Sequence, residues 1–261
     1  ERDLAFFWPN VQVLPFPITE RVEFTTVARS LEGQGAQMRA LSMLAWNQPV
    51  VVLATVEEVT QYVVSPQYVV SQSVHLEVSQ SIERDELLEK LVTIGYERVD
   101  QVEQRGHFSV RGDIFDIFPV NSDDPIRMEF FGDEIDTMRH FSVDTQRSIE
   151  NVDAYTVTPF YLTSDDADST LLSYAKEGLI IYDEPGRIQE ALKKYLKEDA
   201  THRKQHCDWS ELQRTVEAKI QVAFTFMQQR SIGLPGFNPI GIQGKTMTSF
   251  ERQIPLLMDE I

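Results

Sequence analysis

The stretch from Gln104 to Asp136 constrains the chain more than any other, because in its second strand side chains change character with a period of two. A period of two belongs to a β-strand with one face in a core, not to a helix. His107 to Phe118 and Ile126 to Phe131 read as two strands, joined by a turn at Asn121 to Pro125. In the second strand Ile126, Met128 and Phe130 fall on a core face, and Arg127, Glu129 and Phe131 on the opposite one. An arginine, a carboxylate and a large aromatic side by side on an outward face have the composition of a binding hot spot. A face kept only for solubility has no use for the phenylalanine.

The sequence around this stretch predicts an α+β region. Glu83 to Ile94 has the period of an amphipathic helix, with Glu83, Asp85 and Glu86 at its positive end and Leu87, Leu88, Leu91 and Val92 toward a core. Gly95 ends it. Short strands are expected at Glu97 to Val102 and Ile135 to Phe141, making a mainly antiparallel sheet. The flanks read as α/β. Before it come a strand at Val11 to Leu14, a helix at Ala28 to Trp46, a buried strand at Pro49 to Thr55 and a short helix or turn at Glu57 to Val64. After it come a helix at Ser169 to Lys176, a strand at Gly178 to Tyr182, and a helix running to Lys197. A long helix then opens at the capping box Asp208-Trp-Ser-Glu211 and extends to Arg230, followed by a Gly- and Pro-rich loop from Gly233 to Gln243. Three parts are expected: 1–72, 73–159 and 160–261. A length of 261 residues is consistent with two or three cores.

Charge and cysteine usage narrow the function. A formal net charge of -17 opposes a broad nucleic-acid surface, which needs clustered Lys and Arg, but leaves room for a local basic patch. No apolar run reaches the roughly 20 residues that span a bilayer, and Glu1-Arg2-Asp3 is no signal peptide, so no membrane partner is expected. The single Cys207 fits a reducing cytoplasm. Leu4 to Trp8 starts as if inside a folded unit, so the chain reads as an excised module of a longer protein.

Four constellations compete as sites. Gly244-Lys-Thr246 suggests a phosphate loop, but the position of its first glycine is Pro239, which has no N–H and a fixed φ. Leu179 to Glu184 resembles a Walker B strand, in which Asp183 would meet magnesium and Glu184 the attacking water; a strand ending in a turn at Asp183-Glu-Pro-Gly186 explains it as well, and the reading is a vestige. His202 and His206 have helical ligand spacing, yet Arg203 and Lys204 oppose a cation, which leaves a solvated face. Arg98, Arg111, Arg127, Glu129 and Phe131 are the strongest. Their bland alternative is a strand face laced with weak surface ion pairs. The aromatic at Phe131, and Arg111 on the polar side of its strand with His107 and Ser109, favour a specific protein partner.

Tyr96-Glu-Arg-Val, Arg105-Gly-His-Phe-Ser-Val-Arg-Gly-Asp113, Asp116-Ile-Phe-Pro119 and Ile126-Arg-Met-Glu-Phe-Phe-Gly-Asp-Glu-Ile135 resemble domain 2 of the UvrB-homology family, shared by UvrB and the transcription-repair coupling factors (Mfd). The likeness is dense over residues 75 to 150. Asp144-Thr-Gln-Arg-Ser148 and Tyr182-Asp-Glu-Pro-Gly-Arg187 are more similar to the coupling-factor branch; UvrB would show a helicase Asp-Glu-Ser-His element and a tyrosine-rich hairpin. The resemblance implies a degenerate RecA-like unit, like domains 1a and 1b of UvrB, interrupted by an α+β domain 2. It implies docking onto UvrA through Arg111, Arg127, Glu129 and Phe131, with Arg98 a weaker addition; Ser109 stands where many UvrB sequences have Arg. It further implies a monomeric cytoplasmic module with no catalytic residue, metal or cofactor. Its parent would be a DNA translocase using ATP and Mg to release stalled RNA polymerase. The alternative is a UvrB-like NTP-dependent motor that verifies damage. On the docking reading, Arg127→Ala or Phe131→Ala costs about 2 kcal/mol or more in UvrA affinity and leaves the fold intact.

Overall fold

A computed structural model of the chain describes residues 2–18, 27–160, 167–198, 202–225 and 240–241. The first third contains α1 (Arg2–Phe7), β1 (Gln12–Pro15), α2 (Val27–Ala45), β2 (Val50–Leu53), α3 (Val56–Thr60) and α4 (Pro66–Gln72). The middle contains β3 (Val74–Glu77), α5 (Arg84–Thr93), β4 (Glu97–Arg98), β5 (His107–Arg111), β6 (Ile114–Ile117), β7 (Ile126–Phe131), β8 (Glu134–Phe141), β9 (Ser148–Asn151) and β10 (Ala154–Val157). The last part contains α6 (Leu171–Tyr174), β11 (Leu179–Asp183), α7 (Pro185–Glu198), α8 (His202–Gln205), α9 (Trp209–Val216) and β12 (Ile220–Phe224).

The middle region is a six-stranded sheet in the order β4-β5-β6-β7-β8-β9, antiparallel except for β4 beside β5. Its inner face meets α5. Leu87, Leu91 and Ile94 recur at helical spacing and are fully buried, against Phe108, Phe115, Phe130, Met128 and Ile135. Each such side chain contributes roughly 1.5–3 kcal/mol by leaving water. Val92, expected on this face, is 58% exposed, because the stripe Leu87, Leu91, Ile94 leaves it a turn's width to the side. Gly95, at φ +95, takes the left-handed conformation that stops α5.

A second core gathers residues from both flanks: Phe16, Met38, Leu41, Val63, Val64 and Val69 with Leu171 and Tyr174, joined by Val120 from the sheet region. Phe160 packs against both cores. The buried Tyr96 hydroxyl donates to the Thr158 carbonyl at 2.8 Å and accepts from the Val120 amide at 3.2 Å, fixing the exit of the sheet region. Asp123 adds a polar tie, reaching Arg39 at 2.5 Å and Arg105 at 3.0 Å. The chain is thus mixed α/β with a mainly antiparallel main sheet.

Several expectations are corrected. The run His107 to Phe118 is a hairpin, broken by Gly112 at φ +62, a conformation an L-residue rarely holds. The strand at Glu97 to Val102 shrinks to Glu97–Arg98, and the helix at Ser169 to Lys176 to one turn, Leu171–Tyr174. β2 is half-buried rather than buried. Asp208 caps α9 as expected, accepting from the Glu211 amide at 2.9 Å, but the helix ends at Val216 and the chain returns as β12, parallel to β11. The apolar residues Ile220, Val222 and Phe224 alternate, which suits a strand. No helix among the described residues is long and apolar enough to cross a membrane. Gly233 to Thr246 lies outside the described residues except for Ile240 and Gly241, so the loop and the Gly-Lys-Thr are not placed.

Candidate functional site

The outward face of β5, β6, β7 and β8 carries a chain of opposite charges built from strand register. Ser109 and Arg127 both pair with Asp116, and Arg139 pairs with Arg127. At the centre Asp116, 1% exposed, accepts a fork from Arg127, Nε to Oδ1 at 2.7 Å and Nη2 to Oδ2 at 2.8 Å. Arg111 reaches the same Oδ2 from the other side at 2.9 Å. A buried carboxylate is tolerated only with such partners.

Arg127 is almost wholly engaged within the chain. Its Nη2 also donates to the Gln146 Oε1 at 3.1 Å, and the guanidinium lies 4.3 Å from the centre of the Phe141 ring. Only 14% of its side chain is exposed. The hydrogen bonds to Asp116 hold its pKa above the ordinary arginine value. Glu129 takes an ion pair from Arg139, and that hydrogen bond holds its carboxyl below the usual range. Both charges are therefore fixed at neutral pH.

Beyond this array, at the end of β7, the chain turns back through Gly132 at φ +65, and a bulge between Glu129 and Phe130 precedes the turn. The residue skipped in the pairing is Asp136 on β8, so β7 keeps its alternation, with Phe130 in the core and Phe131 in solvent, 83% exposed. Arg111 is half-exposed and offers the donors that Asp116 does not use. Arg98 stands on the edge strand β4, where it and Arg111 line a shallow groove of about 580 Å³ together with Val99, Asp100 and Val110. The structure thus joins Arg111, Arg127 and Glu129 in one strip, with Phe131 at its end and Arg98 across a groove. Ser109 is buried beneath the strip rather than presented on it.

Asp116, Arg139 and Gln146 organise this face and were not among the sequence candidates. A charge between the apolar Phe115 and Ile117 was the available signal for Asp116. Elsewhere, Asp183 is exposed, and Glu184, at φ +54, accepts from the Thr225 hydroxyl at 3.3 Å. Among the described residues no group of three or more His, Cys, Asp or Glu side chains could hold a metal ion. His206 is buried, not on a solvated face: its Nδ1 is 3.3 Å from the Thr60 hydroxyl and its Nε2 3.3 Å from that of Tyr195. The adjacent Cys207 is buried, and burial pushes its thiol up to about 12.

Residues 74–161 match the family described as the UvrB interaction domain. The chain is 32% identical over 157 residues to the transcription-repair-coupling factor of Bacillus subtilis (strain 168), a match covering 60% of this chain and 13% of that protein. Against the transcription-repair-coupling factor of Staphylococcus haemolyticus (strain JCSC1435) the identity is 31% over 180 residues, 67% of this chain and 15% of that protein. Against that of Staphylococcus aureus (strain bovine RF122 / ET3-1) it is 34% over 170 residues, 63% and 14%. The matched part is therefore a small share of each relative.

Proposed function

Because residues 74–161 belong to the UvrB interaction domain family and the chain is related to transcription-repair-coupling factors, we propose that it is a recruitment module that docks UvrA in transcription-coupled repair. The observation that carries this reading is Phe131, a phenylalanine left 83% exposed within the matched domain beside a strip of fixed charges. An isolated apolar side chain among oriented Arg and Glu groups suits a small, specific contact, with the aromatic as anchor and the charges setting register. Arg111, Glu129 and Phe131 supply contact groups; Arg127 orders the strip; Arg98 extends it.

The flanking parts belong, in this reading, to a degenerate RecA-like unit, supported by the two short parallel pairs, β1 with β2 and β11 with β12, each next to helices. The module is monomeric, cytoplasmic and without catalytic activity of its own. The parent is an ATP-dependent DNA translocase that engages DNA and stalled RNA polymerase through other regions.

Titration calorimetry of UvrA with the wild-type chain and Phe131→Ala tests the docking. A loss of about 2 kcal/mol in binding free energy is expected for the variant. Equal affinity of the two proteins would refute it. DNA-stimulated ATP hydrolysis by the isolated chain is expected at background level, and turnover that disappears in Glu184→Gln would favour a motor instead.

A further inference from the structure

We infer that Asp116 is the positioning residue of the docking face: it touches no partner, and it holds the Arg111 guanidinium where its free donors meet one. This deepens the docking reading above and rests on it. Asp116 is the only carboxylate among the described residues that accepts from both Arg111 and Arg127, and it lies on β6 between their strands at 1% exposure. Its two acceptors have different tasks. Oδ1 serves Arg127 alone, whereas Oδ2 serves Arg127 and Arg111 together, at 2.8 and 2.9 Å. Arg127 is anchored independently by Gln146 and the Phe141 ring, so it keeps its place with weaker help from Asp116. The Arg111 side chain has no other hydrogen bond or ion pair among the described residues. Without Asp116 its long side chain returns to free rotation and faces the like charge of Arg127, and binding must then supply the ordering. A buried carboxylate that serves an outward arginine is an instance of preorganisation, in which a supporting group fixes the rotamer of a contact group.

A double-mutant cycle on UvrA affinity separates this role from mere structural support. Asp116→Asn is expected to weaken binding about tenfold, the scale of one oriented charge-assisted hydrogen bond. In an Arg111→Ala background the same change is expected to matter less than about twofold, because the group it positions is gone. A tenfold loss that persists in that background would overturn the inference. So would wild-type affinity of Asp116→Asn while Phe131→Ala and Arg111→Ala are weakened, a result that leaves the docking reading standing. If Phe131→Ala and Arg111→Ala both bind like wild type, the docking reading itself fails and the inference goes with it. Should Asp116→Asn not fold, ¹⁵N relaxation of the arginine Nε–Hε groups in the unmodified chain decides the matter. The Arg111 guanidinium is expected to be markedly more restrained than that of Arg98, whose side chain has no hydrogen bond among the described residues, and equal mobility would overturn the assignment.

Discussion

Arg127→Ala should unfold the protein more readily than it disturbs any interface. Removing the guanidinium deletes both members of the fork to Asp116 and the contact with Phe141, and it leaves a carboxylate at 1% exposure with Arg111 as its single ionic partner among the described residues. Breaking a buried ion pair from one side costs about 3–5 kcal/mol, since the remaining charge is stranded. Two features of this site place the cost at the lower end. Arg111 still neutralises Asp116, and the truncated side chain opens a path for water from the half-solvated face. The expected loss is about 3 kcal/mol in unfolding free energy. Phe131→Ala, at a position already 83% exposed, should stay within about 0.5 kcal/mol of wild type. Urea unfolding of the three proteins, with the slope m held as a control for a common unfolded state, gives both numbers. A loss below about 1 kcal/mol for Arg127→Ala would show that the fork contributes little and would refute the argument. The expectation that this substitution spares the fold is thereby revised, and affinities of Arg127 variants should be compared only where each is fully folded.

Three further outcomes are expected. Gly106→Ala should destabilise by about 2 kcal/mol or more in thermal or urea unfolding, because Gly106 sits at φ +89 and an added Cβ would lie 2.7 Å from the Phe160 ring. Stability should fall with acid: the Arg139 hydrogen bond holds Glu129 low, and at Asp123 burial pushes upward but Arg39 and Arg105 outweigh it. Folded values below unfolded ones mean that this stabilisation is fully present above roughly pH 5 and is lost as pH falls through the folded values, so the melting midpoint should drop on acidification, and a rise would contradict the assignment. Asp208→Ala should cost about 1 kcal/mol by uncapping α9, measured the same way.

Much of the middle region was legible because its periods are clean. Leu87, Leu91 and Ile94 define one helix face, and Ile126 to Phe130 alternates apolar with charged residues, so α5 and β7 follow from spacing. The hairpin at Gly112 was hidden because apolar residues continue on both sides of the turn, and only the demand for a positive φ separates β5 from β6. β12 was hidden by a different coincidence: Val216, Ile220 and Phe224 recur every fourth residue, which extends α9 on paper, whereas Ile220, Val222 and Phe224 recur every second. At the site, the exposed members were readable from their strand face. The member that organises them was not, since Asp116 acquires its meaning only when register brings arginines from both neighbouring strands to it.

The burial of Cys207 bears on how the chain can be studied. With a thiol 1% exposed and pushed up to about 12, it carries almost no thiolate at neutral pH and gives an alkylating reagent no approach. A cysteine introduced at Asp133, in the exposed turn beside Phe131, would then be the preferred target for a maleimide. A fluorophore or spin label could be attached there in an otherwise wild-type background, and encounters at that turn followed by its own signal.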